Sequence, residues 1–179
     1  MHGVIKLSKF HSIIILGANG SGKSSLGSEL ASVLNFAHFD VEDYWFYKSD
    51  VPYTAIRPQE ERNDMLLSDM RKYGTFVVSG DISGWDNVFL KMFDLAVFLT
   101  APKEIRIKRI EHREFMRWGD RVCEGGDMYE SQKRFREFAA TRDINLIEQR
   151  ALKYSCPILR IDGTNTIGEI VCKILSYTD

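Results

Sequence analysis

The stretch Gly17-Ala18-Asn19-Gly20-Ser21-Gly22-Lys23-Ser24 decides how this chain is read. It fits G-x-x-x-x-G-K-[ST], the Walker A pattern, with an additional glycine inside the loop. The apolar run Ile13-Ile14-Ile15-Leu16 leads into it, and Leu26, Leu30, Val33 and Leu34 leave it at helical spacing. Strand, loop and helix stand in the order that a phosphate cradle requires. Glycines let backbone N–H groups approach phosphate oxygens, and the following helix directs the positive end of its dipole at the same place. Lys23 is placed for the β- and γ-phosphates and the Ser24 hydroxyl for Mg²⁺.

Length and composition bound the rest. At 179 residues the chain supports one well-buried core, so a single domain over 1–179 is expected. A net charge of −1 leaves no large basic field, which argues against a nucleic-acid partner. Cys123, Cys156 and Cys172 are odd in number and lack C-x-x-C spacing, so neither a disulfide framework nor a zinc site is indicated. A cytoplasmic protein without membrane contact, monomeric or homodimeric, is the expectation.

Outward from the loop, residues 12–17 read as a buried parallel strand and about 22–34 as the first helix. A second strand at 37–40 delivers a cluster containing Asp40, Glu42, Asp43, Tyr44 and Trp45. Residues 46–57 look irregular. Pro58 opens a helix that closes at Gly74, a third strand covers 75–79, and a fourth covers 94–99. Pro102 opens a basic helix with Arg106, Lys108, Arg109 and Arg113. Residues 114–130 show no clean period and carry Arg117, Gly119, Arg121, Gly125 and Gly126, which predicts a lid. A helix around Arg134–Phe138 continues, or gives way to a second piece, up to Arg150. Pro157–Ile161 form the last strand, and Thr166-Ile167-Gly168-Glu169 is a capping box. Alternating strands and helices predict an α/β fold: a parallel five-stranded sheet in the order 2-3-1-4-5, with helices on both faces.

With these elements placed, the chain resembles the small P-loop kinases related to adenylate, shikimate and gluconate kinases. Arg109-Ile110-Glu111-His112-Arg113 is similar to the paired arginines of adenylate kinases, one stacking on adenine and the other meeting phosphate. Ile161-Asp162-Gly163-Thr164 resembles their adenine-side loop, which brings Gly163 into the nucleotide site. The run Phe39-Asp40-Val41-Glu42-Asp43-Tyr44 resembles the acidic motif of small-metabolite and nucleoside kinases, where a carboxylate orients or deprotonates the acceptor hydroxyl. A narrower likeness, to an uncharacterised bacterial group of such kinases, extends through Ser79-Gly80-Asp81-Ile82-Ser83-Gly84-Trp85. The resemblance implies ATP, Mg²⁺ and a small-molecule acceptor. It departs at Gly80–Ser83, where adenylate kinases carry an arginine for the acceptor phosphate.

The expected site follows from these readings. Gly17 through Ser25, namely Gly17, Ala18, Asn19, Gly20, Ser21, Gly22, Lys23, Ser24 and Ser25, would bind nucleotide together with Arg109 and Gly163. Lys23, Arg113 and either Glu42 or Asp43 would act in catalysis. Ser24, Asp40 and Asp81 are the metal candidates. Trp45, Tyr44, Tyr47 and Tyr53 are candidates for an aromatic acceptor wall. Because only Lys48 and Arg57 stand on the acceptor side in sequence, an acceptor without a phosphate is expected. The rival readings are a nucleoside monophosphate kinase and a regulatory ATP-hydrolysing switch.

Overall fold

Ile13, Ile14 and Ile15 have no solvent exposure because β1 (Ser12–Gly17) is the middle strand of a five-stranded parallel sheet. The computed structural model describes residues 9–50 and 53–177. The other strands are β2 (Ala37–Asp40), β3 (Phe76–Ser79), β4 (Leu95–Thr100) and β5 (Ile158–Asp162), in the expected order β2-β3-β1-β4-β5. The helices are α1 (Lys23–Leu34), α2 (Val41–Trp45), α3 (Gln59–Tyr73), α4 (Lys103–Trp118), α5 (Tyr129–Thr141), α6 (Ile144–Ala151) and α7 (Ile167–Ser176).

Ile13 pairs with Val77 on one side and Leu95 on the other. Successive side chains leave a strand on opposite faces, so Ile13 and Ile15 enter one core while Ile14 and Leu16 enter another. The first core takes Leu26 and Leu30 of α1 with Ile170 and Ile174 of α7. The second takes Leu66 and Met70 of α3 with Ile147 and Ala151 of α6. Each fully buried aliphatic side chain contributes roughly 1.5–3 kcal/mol. A helical crossover separates each strand from the next, so the strands run parallel and their carboxyl ends all open on one edge.

Three boundaries differ from the sequence expectation for physical reasons. Residues 41–45 fold into a helical turn because the Asp40 side chain accepts the Glu42 backbone N–H at 3.0 Å. Helix α4 runs on to Trp118, absorbing residues 114–118 of the expected lid. Its buried stripe is Arg106, Ile110 and Glu114, and two charged residues at i and i+8 conceal the period from a hydrophobicity reading. Residues 119–122 form a 3₁₀ turn, so the irregular part of the lid segment is short. Of the two readings open after Phe138, the second piece is the one formed: α5 and α6 are separate helices, split where Asp143 caps Asn145 N at 2.8 Å.

Gly27 joins α1 to the acceptor-side strands. A Cβ there would overlap Ser79 Oγ and stand 2.5 Å from His38 Nε2. Those two atoms are themselves bonded at 2.9 Å, and Ser79 Oγ donates to the Lys23 carbonyl at 3.1 Å. Gly27→Ala is therefore expected to destabilise by about 1–3 kcal/mol through overpacking, despite a helix-propensity gain near 1 kcal/mol. Chemical denaturation measures it, and an unchanged or raised midpoint would contradict this account of the α1 contact.

Candidate active site

The carboxyl edge of the sheet opens into a cleft of about 1100 Å³. Its floor is the loop between β1 and α1. Ser21 N donates to the Ala18 carbonyl at 3.1 Å, turning the chain back, and Gly22 takes φ 104° before α1 begins. Gly20, at φ 80°, sits so close to the Arg106 carbonyl that a Cβ would overlap it. Nothing but glycine fits there, and the loop's amides remain free of side-chain bulk.

Three arginines hold this loop from outside. Arg106, 2 % exposed, donates through Nη1 to the carbonyls of Asn19 and Ala139, both at 3.1 Å. Arg109 donates to the Ser21 carbonyl at 3.2 Å, and Arg142 reaches Asn19 Oδ1 at 3.3 Å. Burial holds the pKa of Arg106 and Arg142 below the usual arginine value. Arg106 is structural, whereas Arg109 and Arg142 also line the cleft.

Lys23 donates through Nζ to the Ala18 carbonyl at 3.0 Å. Burial lowers its pKa to about 8, against the opposing pull of Glu42 and Asp40. The ammonium is thus held among two carboxylates and, further off, Arg113 and Arg142. Arg113 lines the cleft, and its buried Nε has no hydrogen-bond partner among the described residues. Such an orphan cationic donor suits an anionic ligand.

Most of the sequence-expected residues meet here. Gly17, Asn19 through Ser25, Asp40, Glu42, Asp81, Arg109, Arg113 and Gly163 all line the cleft. Ala18 does not: it is buried and faces a smaller cavity beside Pro102 and Ile144. Asp43 does not either. Consecutive residues of a helical turn point about 100° apart, so α2 can present Glu42 to the cleft or Asp43, and it presents Glu42.

Asp81 is a turn residue. One carboxylate oxygen accepts Ser83 N at 2.9 Å and the Tyr154 hydroxyl at 3.2 Å, and the other faces Arg150 at 3.6 Å. That occupancy argues against its expected place as a metal ligand. Among the described residues no group of three or more His, Cys, Asp or Glu side chains could hold a metal ion. A cation held by Ser24, water and phosphate oxygens is what the donor set fits, as Mg²⁺ chemistry prefers. Of the aromatic candidates, only Trp45 lines the cleft, joined by Phe46 and Trp85. Tyr44 is buried and bonded to Asp69 at 2.7 Å.

Of the other arginines between α4 and α5, Arg117 lines the cleft and donates to the Tyr53 hydroxyl at 3.0 Å. Arg121 pairs with Asp127 on the surface, Arg136 pairs with buried Glu114, and Arg134 is exposed. Sequence reasoning missed Arg142 just after α5, Arg150 in α6 and Lys153 just after α6, all of which line the cleft. It also missed Arg62. This side chain is 7 % exposed, lies 3.8 Å over the Trp45 ring and 4.9 Å over Trp85, and has no ion-pair or hydrogen-bond partner at its buried Nε among the described residues. Its place on the core-facing stripe Arg62, Leu66, Met70 was the available signal, since a charge at an inward position is unusual.

Comparison with known proteins agrees with this architecture. Residues 13–124 match the family described as an AAA domain. The chain is 36% identical over 173 residues to the uncharacterized protein YqaC of Bacillus subtilis, covering 92% of this chain and 96% of that protein. It is 24% identical over 176 residues to a cytidylate kinase of Pyrobaculum islandicum, covering 92% and 95%. Among solved structures, the shikimate kinase of Bacteroides thetaiotaomicron superposes with a TM-score of 0.58 at 16% identity, covering 92% of this chain and 96% of that one. At that identity the last likeness speaks for the fold alone. With more than half of its length matched and the phosphate loop in place, the chain belongs to the AAA-domain family of P-loop kinases.

Proposed function

We propose that this protein transfers the γ-phosphoryl group of ATP, with Mg²⁺, to a hydroxyl of a small acceptor that carries an anionic group. The observation that carries the reading is one cleft that brings the Lys23 loop, Glu42, Asp40 and the Trp45–Trp85 wall together. Phosphoryl transfer leaves the protein little covalent work, so positioning and positive charge dominate. Lys23, Arg113 and Arg142 would meet the charge on the transferred group. Glu42 would accept the proton of the acceptor hydroxyl, and Asp40 would fix Glu42 by capping α2. The Mg²⁺, held through Ser24, would offset phosphate charge.

The anionic acceptor departs from the sequence expectation. Seen along the chain, the acceptor side has few cations, and Arg57 is indeed spent on the carbonyls of Asp43 and Tyr44 and on Glu61. In space, Arg150 and Lys153 line the cleft as well, and Arg62 lies buried against its Trp45–Trp85 wall. A buried arginine with no carboxylate beside it favours a ligand anion strongly, because an uncompensated buried charge is costly. The cytidylate kinase compared above is named for an acceptor that bears a phosphate. A nucleoside monophosphate acceptor is therefore compatible with this site.

Coupled ADP-release assays over matched pairs, cytidine with CMP and glucose with gluconate, followed by a wider metabolite pool, test the reading. Acceptor-dependent turnover confined to anionic members, and lost in Arg62→Met, is expected. Equal turnover of neutral partners would remove the anion. Tight binding of an ATP analogue with no acceptor-dependent ADP release at all would favour the regulatory switch.

We also propose that residues 119–128, between α4 and α5, act as the cover over bound phosphates. The segment follows directly on Arg113 and Arg117, and Glu114 anchors its root to α5 through Arg136. Hydrogen exchange there should slow on adding an ATP analogue with Mg²⁺. Identical exchange at saturating ligand would mark it as a static loop.

A further inference from the structure

Helix α1 packs on the sheet through Leu26, Leu30 and Ala31, set against Ile13, Ile15 and Val77. Beside the cleft the contact turns polar. There Gly27 leaves room for His38 of β2 and Ser79 of β3, both closer than a Cβ would allow. Phe39 enters the opposite core, so its neighbours His38 and Asp40 leave β2 on the α1 side. Ser79 is 2 % exposed and lines the cleft.

The Ser79 hydroxyl makes two bonds, one with His38 Nε2 at 2.9 Å and one to the Lys23 carbonyl at 3.1 Å. A hydroxyl carries one hydrogen and a carbonyl can only accept, so that hydrogen goes to Lys23. His38 must then donate from Nε2. On the acceptor side, two residues beyond His38, Asp40 caps the α2 turn by accepting Glu42 N at 3.0 Å, and α2 presents Glu42 to the cleft. A line of polar contacts thus ties the first turn of α1 to the strand that ends at Asp40 and Glu42. Apolar packing is non-directional, whereas hydrogen bonds set distance and angle.

We propose that His38 is a positioning residue: through Ser79 it fixes the first turn of α1, and with it Lys23 and Ser24, at the spacing from Glu42 that phosphoryl transfer requires. The inference deepens the phosphotransfer reading and rests on it. Transfer tolerates little displacement of donor from acceptor, and a misplacement of about 1 Å costs up to about 10²-fold. Nucleotide binding is less exacting, because the loop's own amides hold the phosphates. Loss of the His38 bond should therefore lower kcat and leave nucleotide affinity nearly as it was.

The test compares His38→Gln, whose amide donates from the place of Nε2, with His38→Leu, which fills the space without donating. Ser79→Ala deletes only the hydroxyl and covers the case in which His38→Leu misfolds. ADP release from ATP with Mg²⁺ is measured in the full chain with CMP, with gluconate and with neither. In His38→Leu and Ser79→Ala kcat should fall about tenfold or more, while affinity for an ATP analogue stays within about threefold of wild type. His38→Gln should recover most of kcat, which a purely space-filling role would not restore. Hydrogen exchange over residues 23–27 should quicken in the Leu and Ala variants and match wild type in His38→Gln. Wild-type kcat in the folded Leu or Ala variant, equal losses in Gln and Leu, analogue affinity falling in step with kcat, or unchanged exchange in all three would each overturn the proposal. Should the wild type release no ADP under any of the three conditions, the phosphotransfer reading fails, and the exchange pattern alone decides whether His38 holds α1.

Discussion

Lys23→Ala should fold normally and lose about 10²-fold or more in turnover, the usual cost of removing a charge contact to the transition state. The fold should survive because the ammonium contributes one hydrogen bond, to the Ala18 carbonyl, and lies in the cleft rather than in either core. The same residue sets a pH dependence. Burial favours the neutral amine and lowers the pKa to about 8, so the free enzyme carries the Lys23 charge below that pH and loses it above. kcat/KM for ATP reports the free enzyme and should fall as pH rises through about 8. Bound phosphates favour the ammonium, so the corresponding fall in kcat should lie at higher pH. In Lys23→Ala the alkaline limb should vanish. A folded variant with wild-type turnover at saturating ATP would end the assignment.

The sheet and the donor half of the site were legible because local chemistry dictates them. An unalternated apolar run announces a strand covered on both faces, and the glycine pattern after it has few other uses. The same holds for the Thr166–Glu169 capping box, whose two reciprocal bonds are both present. The acceptor half was less legible, since what matters there is the direction of a side chain. Glu42 and Asp43 differ only by a rotation about α2, and no spacing rule decides which one faces the cleft. Arg142 in the cleft and Arg62 behind its tryptophan wall come from elements far apart in the chain, and a count of nearby cations cannot find them. The lid was overextended because the inward stripe of α4 is made of Arg106, Ile110 and Glu114. An ion pair with Arg136 engages one oxygen of the buried Glu114 there, and that partner lies in the next helix.

Glu42→Gln should reduce acceptor phosphorylation by about 10²–10⁴-fold, the range over which a positioned general base contributes, while Asp43→Asn should remain close to wild type. The two substitutions are chemically alike and adjacent, so the contrast isolates orientation. Glu42 lines the cleft and touches the electrostatics of Lys23, whereas Asp43 is exposed and its backbone carbonyl is engaged by Arg57. One confounding effect has a definite sign. Glu42 helps to keep Lys23 protonated, so its loss lowers the lysine pKa further, and part of any deficit near pH 8 belongs to Lys23. At about pH 6.5 the lysine carries its charge in the wild type by a margin of more than one unit. Turnover measured there reads mainly the acceptor role, and analogue binding measured alongside should differ little between the two variants. The reverse pattern, with Asp43→Asn impaired and Glu42→Gln active, would mean that α2 rotates when the acceptor binds. Full activity in both would place proton removal elsewhere and leave positioning by Lys23 and the arginines as the whole of the catalytic device.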